Sequence, residues 1–216
     1  MGGLDQLVTV ISLSMGVAWA SGINLYAALL TLGVLANTGN MVLPEELQMV
    51  ANPLVMTSAG VMYAVEFFAD KIPGVDSVWD ALQTFVRIPG GAILAAAAIG
   101  DVTPAAQIAA AILGGGLSAA THATKASSRV MINTSPEPVS NWGASLGEDV
   151  AVVGGLWAAL NHPYIFLGLL LLFIVLMAWL LPKLWRGVGT VVSKIAALFG
   201  RASKRSAIVK ADNKQE

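Results

Sequence analysis

The chain has 216 residues, of which 56% are hydrophobic and 12% charged, with a formal net charge of −1 and a mean hydropathy of +0.73. Soluble domains carry about 25% charged residues, so this composition excludes a disordered chain and argues against a nucleic-acid binder or an ordinary cytosolic enzyme. The lack of cysteine excludes disulfides, thiolate metal sites and cysteine nucleophiles, and an all-α polytopic membrane protein remains.

Six apolar stretches can be set against the roughly 20 residues a bilayer-crossing helix needs: residues 7–36, 53–69, 77–100, 104–127, 145–160 and 163–181. Turn chemistry separates them at Asn37-Thr38-Gly39-Asn40, Gly74, Gly100-Asp101, Pro136-Glu137-Pro138 and Asn161-His162-Pro163. The first stretch would be ~45 Å long as one helix, and its centre reads Ala20-Ser21-Gly22-Ile23-Asn24. Two readings stay open there. Either the helix breaks and exposes backbone groups to a substrate, or it is tilted and closely packed, with Asn24 bonded across an interface. Ala18-Trp19-Ala20 resembles a leader cleavage site, but the first ten residues hold no Lys or Arg and Asp5 is acidic, so the segment reads as a retained span.

The second stretch ends in Glu66-Phe67-Phe68-Ala69-Asp70-Lys71-Ile72-Pro73-Gly74-Val75-Asp76, with Glu66 and Asp70 on one helical face. Glu66 sits about a turn inside the apolar run, where an ionised carboxylate is costly without a partner. Asp76 and Asp80 repeat the spacing at the start of the third stretch, where Ser77 and Asp80 match a capping box. That stretch is continuously apolar only over 88–99, which predicts a short span or one kinked at Pro89. In the fourth, Gly114 and Ser118 have the spacing of close helix contact, and His122, Lys125 and Arg129 form a basic stripe at its end. Glu148 and Asp149 open the fifth, and the sixth runs from Ile165 to Leu181 without a charge. Beyond Pro182, Val188, Val191, Val192, Ile195, Leu198 and Phe199 follow helical spacing with Lys194 and Arg201 between them. This predicts a cytoplasmic amphipathic, basic tail (183–216) appended to a transmembrane domain (1–182).

Orientation follows from charge. With a cytoplasmic N-terminus, the inner loops 70–87 and 128–144 and the tail hold or adjoin all twelve basic residues, while the outer loops hold Glu45, Glu46 and Asp101. The positive-inside rule then predicts six transmembrane helices with both termini inside, in the cell's inner (plasma) membrane.

One inner mouth would gather Glu66, Asp70, Asp76, Asp80, Glu148 and Asp149 against Lys71, Arg87, His122, Lys125 and Arg129. These form either a set of ion pairs that locks the helix ends or a polar vestibule for a cation, a proton or a small polar solute, with His122 placed to shuttle protons. The number of ionisable groups favours the vestibule and a small transporter or channel. No P-loop, His-Glu-x-x-His or Gly-x-Ser-x-Gly is present, and no cofactor is expected. Two alternatives stand beside transport: a lipid-headgroup enzyme using Asp76 and Asp80 with a divalent metal, and a scaffold that recruits partners through its tail. The expected partners are the lipid bilayer, the ion or solute, and a second copy, since 22.3 kDa is small for a transport pathway; nucleic acid is not among them.

The segments 66–80 (Glu-Phe-Phe-Ala-Asp-Lys-Ile-Pro-Gly-Val-Asp-Ser-Val-Trp-Asp), 122–129 (His-Ala-Thr-Lys-Ala-Ser-Ser-Arg) and 145–149 (Ser-Leu-Gly-Glu-Asp) resemble the family catalogued as domain of unknown function 4126. The likeness covers roughly Ser12 to Leu160, with Asp-Lys-Ile-Pro its most specific part. It implies a bacterial-type integral membrane protein and carries no activity to transfer. The sixth span and the tail would be this chain's own extension.

Overall fold

A computed structural model describes the backbone of residues 2–134 and 138–212, with the side chains of all these except 138, 194, 195 and 198–212. The described residues form helices and no strand: α1 (Gly3–Asn37), a 3₁₀ helix (Glu45–Ala51), α2 (Pro53–Ala69), α3 (Val75–Ala98), α4 (Pro104–Ile132), α5 (Pro138–Asn161) and α6 (Pro163–Asp212). Their boundaries follow local chemistry. Gly39, Gly74 and Gly100 take φ of 72°, 86° and 73° in the turns, where a Cβ would be strained. The Asn52 and Thr103 side chains accept from the N–H of Leu54 and Ala106, and a proline follows each at the first helical position. The expected break at Pro136-Glu137 lies outside the described residues.

By length and composition, three helices are apolar enough to cross a membrane, Gly3–Asn37, Val75–Ala98 and Pro163–Ser193, with the shorter apolar Pro53–Ala69 beside them. Burial is inverted relative to a soluble protein. Glu66, Asp76, Asp80, Arg87 and Arg129 have no exposed surface, while Leu54, Phe85, Ile112, Val150 and Leu171 are exposed on the outside. An apolar exterior around a charged interior suits lipid rather than water.

The helix α1 is not one rod. Asn24 has φ −151° and ψ 99°, an extended residue that divides α1 into arms 3–23 and 25–37. Along the first arm, Ser12 Oγ donates to the Ala159 carbonyl, Gly16 and Trp19 lie against Ala159 and Gly155, and Asn24 reaches Asp149. This arm therefore runs antiparallel to α5. Along the second, Leu30 lies against Gly60, Gly33 against Met56, and Asn37 Nδ2 donates to the Ala51 carbonyl, so it climbs back along α2 toward that helix's N-terminus. Leu30, Thr31, Val34 and Leu35 accordingly share a cavity with Val153, not with the start of α5. The start of α1 lies at the α5–α6 turn, where Tyr164 Oη donates to Asp5 at 2.8 Å, and Pro44 and Glu46, in the segment after its end, lie beside Gly100 in the α3–α4 turn. The expectation of six crossings with both termini at the basic end counted 7–36 as one crossing; the extended Asn24 at its centre divides it into two arms, and their junction is buried.

Other expectations shift with it. The third span is not short: α3 has 24 residues with Pro89 inside it, ~36 Å at 1.5 Å per residue, so the apolar run 88–99 is the second half of a longer helix that passes Pro89. Residues 75–87, counted with an inner loop in the charge reading though 77–100 was read as a span, belong to α3, where Asp80 and Arg87 face inward and bond to each other at 3.0 Å. Glu148 and Asp149 sit in mid-helix, since α5 begins at Pro138. Pro182 does not end α6, which continues to Asp212; Gly187 lies against Met131, and Trp185 and Val188 line a cavity with Ala126 and Val130 of α4. The rest of the predicted amphipathic pattern, at Lys194, Ile195, Leu198, Phe199 and Arg201, involves side chains outside the described residues.

Helices α1, α3 and α4 meet at small residues. A Cβ on Gly22 would stand 2.5 Å from the Ser118 carbonyl oxygen, and one on Gly91 would stand 2.5 Å from Ser118 Cβ. Glycine is required there so that three backbones can converge around the junction.

Candidate functional site

The junction of the two arms leaves backbone groups that no helix satisfies. The Asn24 side chain takes one, its Oδ1 accepting from the Ala27 N–H at 2.9 Å, so Asn24 acts as the N-cap of the second arm. Its Nδ2 donates to Asp149 Oδ1 at 3.3 Å, and Tyr63 Oη donates to Asp149 Oδ2 at 2.9 Å. The positive end of the second arm thus faces a carboxylate. At the end of the first arm, the Ile23 carbonyl accepts from Lys125 Nζ at 3.1 Å, a cation at a negative helix end.

Lys125 is the centre of the charge. Its Nζ lies 2.9 Å from Asp70 Oδ2, 3.2 Å from Glu148 Oε2, 3.5 Å from Glu66 Oε1 and 3.8 Å from Asp80 Oδ1. Arg87 joins Glu66 Oε1 (2.6 Å) to Asp80 Oδ1 (3.0 Å), and Arg129 joins Glu148 Oε2 (2.7 Å) to Asp70 Oδ2 (3.4 Å). Arg129 Nη1 also donates to the Asp70 and Asn141 carbonyls. Four carboxylates therefore meet three cations in this network, and Asp149 adds a fifth negative charge at the junction. The second oxygens of Glu66, Asp70 and Asp80 (Oε2, Oδ1 and Oδ2) are buried without a hydrogen-bond partner. Glu148 and Asp149 are half-buried and form the edge of the cluster.

His122 is held in one state by its partners. Its Nδ1 lies 3.0 Å from Arg87 Nη1 and its Nε2 3.0 Å from the Asp80 carbonyl oxygen. A guanidinium can only donate and a carbonyl can only accept, so Nδ1 accepts, Nε2 carries the proton and the imidazole is neutral. The proton-shuttle role expected for His122 requires Arg87 to leave first.

Asp76 stands apart from the site residues predicted with it. Its Oδ1 accepts from the N–H groups of Gly74 and Ser77, and both its oxygens accept from Asn133 Nδ2. Asp76 thus closes the start of α3 against the end of α4, the capping task the sequence pattern ascribed to Asp80. Asp80 is an ion-pair residue, so the two carboxylates proposed to share a divalent metal serve different networks. Lys71 lies over the Phe67 ring at 2.9 Å and donates to Ser145 Oγ at 3.3 Å; burial holds its ammonium below the usual lysine range.

Asn24, Glu66, Asp70, Asp80, His122, Lys125, Arg129, Glu148 and Asp149 are therefore one connected cluster, with Arg87 at its core. Two participants escaped the sequence reading. Tyr63 precedes Glu66 by three positions and shares its face, a signal that was there to use. The Ile23 carbonyl is a backbone group with no signature beyond its place before Asn24.

No curated protein and no solved structure matches the chain. A family model described as Domain of unknown function (DUF4126) matches residues 11–183, so the likeness reaches past Leu160 and takes in the membrane-length part of α6. The match spans most of the chain and includes every residue of the charged cluster, so the chain belongs to this family.

Proposed function

We propose that this protein is a small membrane transporter or channel for a cation, a proton or a small polar solute, and that the solute passes the broken tip of α1. One observation carries the reading: an interrupted helix at Asn24 brings two half-helix ends, with the Ile23 carbonyl held by Lys125, to a buried cluster with more carboxylates than cations. Interrupted helices at membrane depth are tolerated where they line a cavity or a binding site, and transporters place ion sites at such breaks. The membrane is the cell's inner membrane, with the basic end cytoplasmic. α2 to α6 cross it, α1 dips in and returns, and the N-terminus lies outside. All twelve basic residues still fall on one side, because residues 1–11 contain none. A second copy completes the pathway, which one chain of 22.3 kDa is small to enclose.

The test is proton and metal-ion flux into proteoliposomes carrying the wild type, Glu66→Gln or Asn24→Ala. Flux in the wild type that is lost in both folded variants supports the reading; equal leak in all three and in protein-free vesicles refutes it. One observation favours a second reading, a structural lock. Arg87 and Arg129 are fully buried and paired on both sides. A lock predicts that Glu66→Gln costs stability and leaves flux unchanged.

A further inference from the structure

We propose that the cavity where α3, α4 and α6 meet at the basic end of the molecule is a binding site for an anionic phospholipid, whose phosphate accepts from the Ser127 hydroxyl. This site is separate from the charged cluster, and it requires only that the chain spans a membrane.

The cavity has a volume of about 250 Å³ and is walled by Ser77 and Ala81 of α3, Ala126 and Ser127 of α4, and Trp185 and Val188 of α6. Gly187 packed against Met131 holds the continuation of α6 beside the end of α4. Pockets for whole small molecules run to about 300–1,000 Å³, so this one takes part of a larger molecule. Depth says which part. Trp185 stands ~33 Å along α6 from Pro163 at 1.5 Å per residue, just beyond about 30 Å of hydrocarbon. The cavity therefore lies where acyl chains give way to headgroups, and the exposed Trp179 and Trp185 mark that border.

Ser127 is the independent sign of a ligand. It is 8% exposed and lines the cavity, yet its hydroxyl has no hydrogen-bond partner among the described residues. Comparable hydroxyls are taken: Thr124 Oγ1 of the same helix donates to the Ala120 carbonyl, and Ser77 Oγ on the α3 wall donates to Asp76. Thr121 Oγ1 also lacks a partner but is sealed in the protein, whereas Ser127 Oγ is not. An unpartnered hydroxyl in a largely apolar cavity is costly, and a ligand oxygen removes that cost. The other groups select an acceptor with negative charge. The Trp185 indole N–H can only donate. Lys183 and Arg186 are exposed on the same turn of α6, with Lys183 over the Trp179 ring at 2.9 Å. The carboxylate beside Ser77, that of Asp76, is already committed to Asn133 and to the N–H groups of Gly74 and Ser77. A phosphodiester supplies accepting oxygens and one negative charge while its acyl chains stay in the bilayer, and basic pockets between helices at this level bind such headgroups.

Delipidated protein in mild detergent tests this without reference to flux. Its thermal midpoint is followed as phosphatidylglycerol, phosphatidylcholine with the same chains, or free glycerol 3-phosphate is added. Phosphatidylglycerol should raise the midpoint saturably by several degrees, as a ligand roughly 100-fold above its dissociation constant does, and the other two should do little. Ser127→Ala loses no internal hydrogen bond, so without lipid its midpoint should equal that of the wild type. Its half-saturating phosphatidylglycerol should rise about tenfold, as the loss of one hydrogen bond to a charged group requires. Ala81→Leu, which fills the cavity, should abolish the response. No response in the wild type overturns the proposal, as does an equal response to phosphatidylcholine or to glycerol 3-phosphate. A Ser127→Ala curve that overlays the wild type overturns it as well, and that variant decides alone if the leucine variant does not fold.

Discussion

Replacing Asn24 by alanine removes two separable contributions. The first is the cap on the second arm, Asn24 Oδ1 accepting from the Ala27 N–H at 2.9 Å, worth about 1 kcal/mol within a range of about 0.5–2. The second is the bond from Nδ2 to Asp149 at 3.3 Å. It is long, and interhelical hydrogen bonds in membranes average about 0.6 kcal/mol with a maximum near 1.7, so about 1 kcal/mol is appropriate. The sum is about 2 kcal/mol, and in a chain of this size it lowers the thermal midpoint by about 4–8 °C. Asn24→Ser restores an oxygen at the cap but cannot reach Asp149, so it recovers about half of the loss. Asn24→Asp keeps the cap acceptor but sets a second carboxylate against Asp149, and it falls below the serine variant. Midpoints of purified protein in mild detergent, read by the loss of the folded peak on size-exclusion chromatography, rank the four proteins as Asn, Ser, then Asp and Ala. An alanine variant within about 0.5 kcal/mol of the wild type, or a serine variant no better than alanine, would show that Asn24 does not hold the junction.

Arg87→Met strands Glu66 and Asp80, both at 0% exposure, and should cost about 3–5 kcal/mol; adding Glu66→Gln should recover part of it, and strict additivity in the double-mutant cycle would deny that the pair is coupled. Gly22→Ala, whose Cβ would stand 2.5 Å from the Ser118 carbonyl oxygen and 2.7 Å from Thr121 Cβ, should sharply lower the yield of folded protein. Gly116→Ala, with nothing within 4 Å, should leave the yield unchanged and so controls for helix propensity. The chain has no cysteine, so single cysteines report topology directly: Gly2→Cys and Thr38→Cys should both react with an impermeant maleimide from outside intact cells, and Thr134→Cys only after permeabilisation. Gly2→Cys and Thr134→Cys protected together, with Thr38→Cys labelled, would restore a first helix that crosses.

Much of the membrane character was legible from one dimension. Apolar runs, turn glycines and the segregation of basic residues are local properties, and they specify helices, boundaries and a basic end before any packing occurs. The list of charged residues was legible as well, since a carboxylate inside an apolar run demands a partner wherever it sits, and Glu66 found Arg87 and Lys125. What one dimension left open was the path of α1. Thirty apolar residues satisfy the hydropathy of one crossing or of a hairpin equally well, and a first segment without basic residues obeys the charge rule on either side. The break at Asn24 was one of two readings of Ser21-Gly22-Ile23-Asn24. Only the packed helices choose between them, because Gly22 lets α1 approach α4 closely, Lys125 takes the Ile23 carbonyl, and Asp149 takes the Asn24 amide. Likewise, Asp76 and Asp80 share a spacing and differ in role solely through what stands opposite, Asn133 for one and Arg87 for the other. Sequence determines which groups must be satisfied; the tertiary structure decides by whom, since the partners of a buried charge lie on other helices, far away along the chain.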